Sequence, residues 1–361
     1  MFIRRATRVT TQEEFTDTAA SSQSGRAGGH VGPLSASVVV CVFNRPRQVI
    51  ACLESLLKQD YRPLEIIVVD DGSTDETPQV LARFRREHQD DDVALRIVTN
   101  ASNLGVCAAR NVGLDAASGD VVLYTDSDCT VDPHWVSAMI RALEHGHYAG
   151  AAGRVIDAVP TSWAEKAAAG STRIGAASVQ GRHLVGGNMA IRRALLTAYR
   201  FDENMEYGAD EDDLARRMAR DGHRFAFVDA AIVHHHHPMN LCSYLRQAWR
   251  QGQGSAYFWW KHRILIGRDL LFLFLAIASL PVLLRWPALW PVPPGLFSLH
   301  VLAHLFNERV FKGKSWGTAI AVLPLVLLHS VVKAASVTQD YGRFVARGIL
   351  RTDQRTAPNA P

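Results

Sequence analysis

Leu64-Glu65-Ile66-Ile67-Val68-Val69-Asp70-Asp71-Gly72-Ser73-Thr74-Asp75 sets the reading of the whole chain. A near-continuous apolar run, as expected for a strand covered on both faces, ends abruptly in acids, glycine and hydroxyls. The same switch recurs on either side. Residues 37–42 (SVVVCV) run into Asn44, residues 94–98 into Asn100 and Asn103, and residues 121–125 (VVLYT) into Asp126-Ser127-Asp128. Between them, apolar residues recur at helical spacing over 46–57, 75–88, 104–117 and 133–144, the third stretch being stopped by Ser118-Gly119. Strands alternating with crossover helices predict an α/β protein with a doubly wound, mainly parallel sheet. Ligands of such sheets gather beyond the carboxyl ends of the strands, where the polar punctuation falls. After Gly150 the period lapses; order is expected again at Gly186-Gly187-Asn188 and in a short helix over 212–221.

With 361 residues, 48% of them hydrophobic and 20% charged, the chain can bury a sizeable core, which excludes disorder as its overall state. Cys41, Cys52, Cys107, Cys129 and Cys242 are odd in number and have no C-x-x-C spacing, so neither a disulfide framework nor a zinc ribbon is expected. Residues 1–34 lack an apolar signal-peptide core and read as a flexible tail. Charge is uneven: 14 Lys+Arg stand against 4 Asp+Glu from Leu241 onward, and 25 against 31 before it. Basic and apolar together point to the anionic cytoplasmic face of a membrane rather than to nucleic acid.

The stretch 241–262 is amphipathic and aromatic-rich, and three hydrophobic segments follow at 270–284, 286–306 and 317–332. A clean span needs about 20 apolar residues. The first and third segments fall short, and Pro281, Pro291, Pro293, Pro294 and Pro324 would kink a long helix. An all-helical region over 241–340, peripheral or shallowly inserted, is therefore expected, with 341–361 as a flexible basic tail. A soluble helical subdomain is the other reading.

Asp126-Ser127-Asp128 ends a strand, so both carboxylates should reach the ligand crevice, where they could hold a hard divalent ion that also binds phosphate oxygens. Alone, such a pair is usually a solvated turn. Here it follows VVDDGSTD at 68–75 and NLGVCAARNVGLDAASGD at 103–120, after SVVVCVFNR at 37–45. In that order the chain resembles the family 2 glycosyltransferases, inverting nucleotide-sugar enzymes with a GT-A fold, over roughly residues 35–240.

The resemblance implies roles position by position. The first-strand turn (Cys41, Phe43, Asn44, Arg45) and Asp71 would contact the nucleobase, and Asn103 and Arg110 would line the nucleotide site. A structural ion pair with an acidic turn is the other reading of Arg110. Asp126 would bridge ribose, metal and diphosphate, and Asp128 would be the principal ligand of Mn2+ or Mg2+. Counting back from Leu214 and Arg217 puts Asp210-Glu211 where the family keeps its base-bearing acid pair, with the acid types swapped. Glu211 is the candidate base and Asp212 the runner-up; first-turn helix charge is the plain alternative. Gly186, Gly187 and Asn188 resemble the glycine-rich acceptor-side loop, or form a tight turn. Within His234-His235-His236-His237 alternate rings face opposite ways if the segment is extended. His234 and His236 are taken as the metal-side pair, a surface histidine patch being the alternative.

The implied function is metal-dependent, inverting transfer of a sugar from a nucleoside-diphosphate donor to a hydroxyl acceptor, lipid-linked or a cell-surface glycan precursor. A membrane-anchored nucleotide-sugar-binding protein without turnover stays open. A nucleotidyltransferase is disfavoured because no G-x-G-T-R-like loop follows the first strand, and a Rossmann oxidoreductase because no G-x-G-x-x-G follows Val42. Gln247-Ala248-Trp249-Arg250 departs from the Q-x-x-R-W of the family's processive members, so polymer synthesis is not expected.

Overall fold

The computed structural model describes residues 33–88, 92–170, 183–205, 207–236, 239–264 and 270–351. Nearly all of the expected N-terminal tail, His237, and residues 352–361 lie outside them.

The strands are β1 (Ala36–Val42), β2 (Leu64–Asp70), β3 (Ala94–Thr99), β4 (Val121–Asp126), β5 (Cys129–Val131), β6 (Gly150–Asp157), β7 (Asn188–Arg192) and β8 (Phe225–His235). They form one sheet in the order β3-β2-β1-β4-β7-β6-β8-β5. β1 to β4 pair in parallel, while β7 enters antiparallel between β4 and β6. The helices among them are α1 (Pro46–Leu57), α2 (Thr77–Glu87), α3 (Val106–Ala116), α4 (Trp135–His145), α5 (Trp163–Ala168), α6 (Arg193–Tyr199) and α7 (Asp210–Arg220).

The unbroken apolar run of β2 has its reason in the two cores. Ile66 and Val68 join Leu53 and Leu56 of α1 and Trp135 and Met139 of α4 on one face. Ile67 and Val69 join Cys107 and Leu114 of α3 and Leu214 and Met218 of α7 on the other. Burial of each such side chain contributes roughly 1.5–3 kcal/mol. Each parallel strand ends at the same edge of the sheet, which brings Asn44, Asp71 and Asp126 to one rim.

The C-terminal region is helical, as the sequence predicts: α8 (Leu241–His262), α9 (Leu271–Ser279), α10 (Val282–Arg285), α11 (Val292–Phe306), a π turn (Asn307–Phe311) and α12 (Trp316–Arg351). Two expectations need correction. The third hydrophobic segment is part of a longer helix, because α12 runs through Pro324 and past residue 340 to Arg351. Proline forfeits one backbone hydrogen bond. Burial of Ala319, Val322, Val326, Ala334 and Val337 holds the helix together around it. Residues 341–351 are accordingly helix, not tail. By length and composition Trp316–Phe344 is long and apolar enough to cross a membrane.

α8 is wedged between this helix and the loop ahead of α7 by two glycines. A Cβ on Gly252 would fall 2.6 Å from the Ser336 side chain of α12, and one on Gly254 would fall 2.6 Å from the Gly208 carbonyl oxygen. Gly208 and Ala209 precede α7 with φ of 71° and 61°, so α8 presses on the bend from which α7 starts.

Candidate active site

The rim is laced together before any ligand arrives. Asn44, at φ 54°, receives no help from glycine and is held by its neighbours instead. Its N–H donates to Ser73 Oγ at 2.9 Å, and its Oδ1 accepts from the Thr74 N–H at 2.8 Å. The Arg45 N–H donates to Thr77 Oγ1 at 3.0 Å. Phe43 is exposed beside them, and burial pushes the Cys41 thiol up to about 12. Asp71 has both carboxylate oxygens engaged by the loop ahead of α3. It is buried and accepts from Asn100 Nδ2 at 2.8 Å and from the Leu104 and Gly105 N–H groups at 3.0 Å each. The residue named for the nucleobase thus fastens the loop leading into α3. Exposed Asn103 also turns to that loop, its Oδ1 accepting from the Gly105 N–H at 3.2 Å.

Arg110 makes the ion pair that was one of its two readings. Its guanidinium is buried, bonds the Asp210 carboxylate and lies 3.4 Å from Asp126 Oδ1. The rings of Phe201 and Tyr124 stand 5.4 and 6.0 Å from its Cζ. Such a buried arginine draws the strand end carrying Asp126 and the first turn of α7 together, and it carries no free face for a donor.

Glu211 lies next along α7. Burial first, then the charges of Asp210 and Asp212, drives its pKa well above the usual carboxylate range, with Arg110 opposing. The other acids of this turn are engaged. Asp212 Oδ1 stands 3.3 Å from His183 Nδ1, and Asp213 points inward. Gly186 and Gly187 face this cluster at close range. A Cβ on Gly187 would lie 2.6 Å from Asp126 Oδ2; one on Gly186 would lie 3.0 Å from Arg110 Nη2 and 3.6 Å from Glu211 Cδ. Asn188, named with them, belongs to the core. Its Oδ1 accepts from Trp135 Nε1 at 2.8 Å, and its Nδ2 donates to the Arg154 and Ala231 carbonyls at 2.9 and 3.0 Å.

Asp128 is buried behind Asp126, its carboxylate bonded to the Arg45 guanidinium. The histidine that reaches it is His235, with Nε2 at 3.7 Å and Nδ1 3.6 Å from Asp157. His234 and His236 turn away, to Asp132 at 2.9 Å and Thr130 Oγ1 at 3.1 Å. The alternation of the strand holds, but its phase is set by the pairing of Cys129 with His235 between β5 and β8, which a single sequence does not announce. Burial lowers the His235 pKa, yet Asp128 and Asp157 outweigh it and raise it to about 10.

A cation fits here. Asp128, Cys129 and His235 bring an oxygen, a sulfur and a ring nitrogen within 4.8 Å of one another. Oxygen and imidazole suit Mn2+. Burial pushes the Cys129 thiol far up, so its sulfur stays protonated and is a neighbour rather than a thiolate ligand. A metal would displace the His235 proton and Arg45 from Asp128.

From this cluster a cleft of about 560 Å³ extends past Glu211, His235 and Asp157 to Gln247 and Gln251 of α8. Gln247 opens the stretch compared above with Q-x-x-R-W, and Gln251 follows it at i, i+4 spacing on an amphipathic helix.

Residues 37–201 match the model of Glycosyl transferase family 2, and residues 121–332 that of Glycosyl transferase family group 2. An N-acetylglucosaminyltransferase of Sinorhizobium fredii is 27% identical over 345 residues, covering 88% of this chain and 78% of that protein. A glucosyl-dolichyl phosphate glucuronosyltransferase of Haloferax volcanii is 34% identical over 125 residues, covering 34% and 38%. An uncharacterized glycosyltransferase of Haemophilus influenzae is 32% identical over 123 residues, covering 34% and 37%. The chain thus spans just over a third of the length of these last two relatives. Among solved structures, a mannosyltransferase from Pyrobaculum calidifontis in complex with GDP-Man and Mn2+ matches with a TM-score of 0.54 at 19% identity, covering 91% of this chain and 89% of that one. That likeness is one of fold, the GT-A arrangement. With the second family model spanning more than half of its length, the chain belongs to the family 2 glycosyltransferases.

Proposed function

We propose that this protein transfers a sugar, with inversion, from a nucleoside-diphosphate donor to a hydroxyl of a membrane-associated acceptor, either lipid-linked or a glycan precursor. The observation that carries the reading is the convergence of Asp126, Arg110 and Glu211 on a strip of backbone at Gly186-Gly187, with no side chain of its own. Glycines there let a strand-end carboxylate and a carboxyl of raised basicity close on one strip of backbone.

Glu211 is the general base. A carboxylate whose pKa lies well above its usual range accepts a proton from a hydroxyl more readily, and in line with the anomeric carbon it activates the attack. Arg110 and Asp210 are positioning residues that fix the first turn of α7 against the end of β4. A divalent cation held by Asp128 and His235 would neutralise the diphosphate leaving group. The solved mannosyltransferase that shares this fold is in complex with GDP-Man and Mn2+, which supports a nucleotide sugar and a metal of this kind.

Membrane association, at the cytoplasmic face, rests on the C-terminal helices. Trp286, Trp290, Phe297, Phe306, Phe311 and Trp316 are exposed there, and basic residues flank them.

The test is a thermal-shift screen of nucleoside diphosphates with and without Mn2+, followed by donor hydrolysis or transfer. A Mn2+-dependent rise in melting point for one nucleotide, and turnover lost in Asp128→Ala, is the expected result. Absence of any nucleotide effect, with the protein folded, would reject the donor assignment.

A further inference from the structure

Arg45 stands at the edge of the cation cluster with its guanidinium on the Asp128 carboxylate. The two partners differ in their freedom to move. The Asp128 side chain is 5% exposed and that of Arg45 37%, so the arginine can leave and the aspartate cannot. The backbone of Arg45 is fixed. Its N–H donates to Thr77 Oγ1 at 3.0 Å, its carbonyl accepts from the Val49 N–H at 3.2 Å, and Asn44 before it is held by Ser73 and Thr74. A long side chain is therefore free to turn about a stationary Cα.

The ground on which Arg45 is rooted favours an anion. It is the N-cap residue of α1, whose first turn carries no acid and no side-chain cap. A helix N-terminus attracts negative charge and repels positive. The guanidinium is thus drawn inward by Asp128 and not by α1. Asp128 also faces His235 Nε2 at 3.7 Å. The acids around it have cations of their own: Asp126 meets Arg110 at 3.4 Å, and Asp157 lies 3.6 Å from His235 and also acts on Lys314. Gln48, one helical turn on from Arg45, lines the cleft of about 560 Å³, which puts the cleft on Arg45's side of α1.

A buried carboxylate stripped of its partner is strongly destabilising, so Asp128 releases Arg45 only to another cation. We propose that Arg45 is a displaceable counter-ion, which neutralises Asp128 in the free protein and turns to the donor's diphosphate when a divalent cation takes Asp128; the diphosphate half of this rests on the transferase reading above. A cation arriving alone evicts Arg45 and offers it nothing. A cation arriving with a diphosphate evicts it onto a new partner. Arg45 thereby makes each ligand bind better in the presence of the other, by the same factor in either order. Free cation is held weakly until a donor accompanies it.

The experiment uses the full chain in a neutral maltoside detergent, with Mn2+, UDP and GDP as probes and binding, not turnover, as the readout. Arg45→Gln should bind Mn2+ alone about fivefold or more tightly than wild type, measured by loss of the free-ion paramagnetic resonance signal. Equal Mn2+ affinity would overturn the proposal. Calorimetry of the nucleotides completes a double-mutant cycle. Arg45→Gln should change nucleotide affinity by less than about twofold in EDTA, where Asp128 holds the arginine, and lower it by about fivefold or more at saturating Mn2+. In an Asp128→Asn background, which frees Arg45 without metal, it should lower affinity in EDTA by about fivefold or more as well. A loss of one size in all three settings would make Arg45 a fixed source of positive field, and no loss in any would sever it from the diphosphate; either result overturns the switch. Should Asp128→Asn lack a native melting curve, the Mn2+ titration and the comparison of EDTA with Mn2+ decide. Wild type that binds neither nucleotide with Mn2+ would remove the transferase reading, while tighter Mn2+ binding by Arg45→Gln would still leave Arg45 as the counter-ion of Asp128.

Discussion

Asp213 and His262 meet at 2.9 Å, carboxylate oxygen to ring Nε2, with both side chains sealed from solvent. The contact joins α7, which carries Glu211, to α8. Lys261 Nζ at 2.7 Å and Arg217 Nε at 2.8 Å complete the shell around the same carboxylate. Lys261 also reaches Asp202 at 2.7 Å, so one residue of α8 clasps two acids of the catalytic unit.

Asp213→Ala should therefore destabilise the protein by about 3–5 kcal/mol, because it leaves buried partners uncompensated. Urea denaturation measures this. Burial raises the Asp213 pKa, but Lys261 and Arg217 outweigh it and hold it below its ordinary value. A depressed folded pKa stabilises above the ordinary carboxylate value and stops doing so as pH falls through the lower one. The Asp213→Asn protein should accordingly lose less stability than wild type between pH 5 and strong acid, on a scale of roughly one pKa unit per 1.4 kcal/mol.

Glu211→Gln should reduce kcat by roughly 10²- to 10⁴-fold with little change in donor KM. Because the carboxyl must be ionised to act and its pKa is raised, wild-type kcat/KM should climb with pH through a value above the usual carboxylate range. Steady-state kinetics across pH check both. A normal rate in Glu211→Gln beside a dead Asp212→Asn would transfer the role one residue along.

Gly187→Ala places a methyl 2.6 Å from Asp126 Oδ2. Overpacking of this kind costs about 1–3 kcal/mol. Since Asp126 is half-exposed and can swing outward, the penalty should appear as donor affinity lowered on the order of tenfold, with the melting temperature little changed. Calorimetric titration of the nucleotide, beside a melting curve, separates the two.

Asn188→Ala should act on folding instead. It strands Trp135 Nε1 and the carbonyls of Arg154 and Ala231, each at about 1–3 kcal/mol. A large fall in unfolding free energy, with residual activity per folded molecule near normal, is the expected outcome.

Trp286→Glu with Trp290→Glu should reduce flotation of the full chain with anionic vesicles by several-fold, since both indoles are exposed. Unchanged flotation would place the contact elsewhere.

The parallel strands and their cores were legible because burial on two faces leaves unbroken runs such as Ile66–Val69, and parallel pairing then forces the acidic turns to one rim. The partners of individual side chains were not. Asp71 sits in the expected loop but spends both oxygens on the Asn100 side-chain amide and the Leu104 and Gly105 N–H groups, a close contact that depends on how two turns meet. For Arg110 an ion pair with an acidic turn was legible as one of two readings, but not which acid it meets, because Asp210 lies 100 positions away. His235 was missed for its neighbours, since a histidine run fixes alternation and leaves phase to the β5–β8 register. α12 outran its expected ends because tertiary packing on α8 overrides the proline and the polar residues beyond it.

Gly254 has a practical corollary. Where a helix touches the Gly208 carbonyl so closely that a methyl cannot intervene, the sugar-handling unit has no clean seam behind it. Expression of residues 33–240 alone would bare the bend at 208–209 and abandon Asp202 and Asp213 to solvent, so that fragment should be recovered unfolded or inert. Biochemists seeking a soluble version should instead keep α8 and substitute the greasy exterior beyond it.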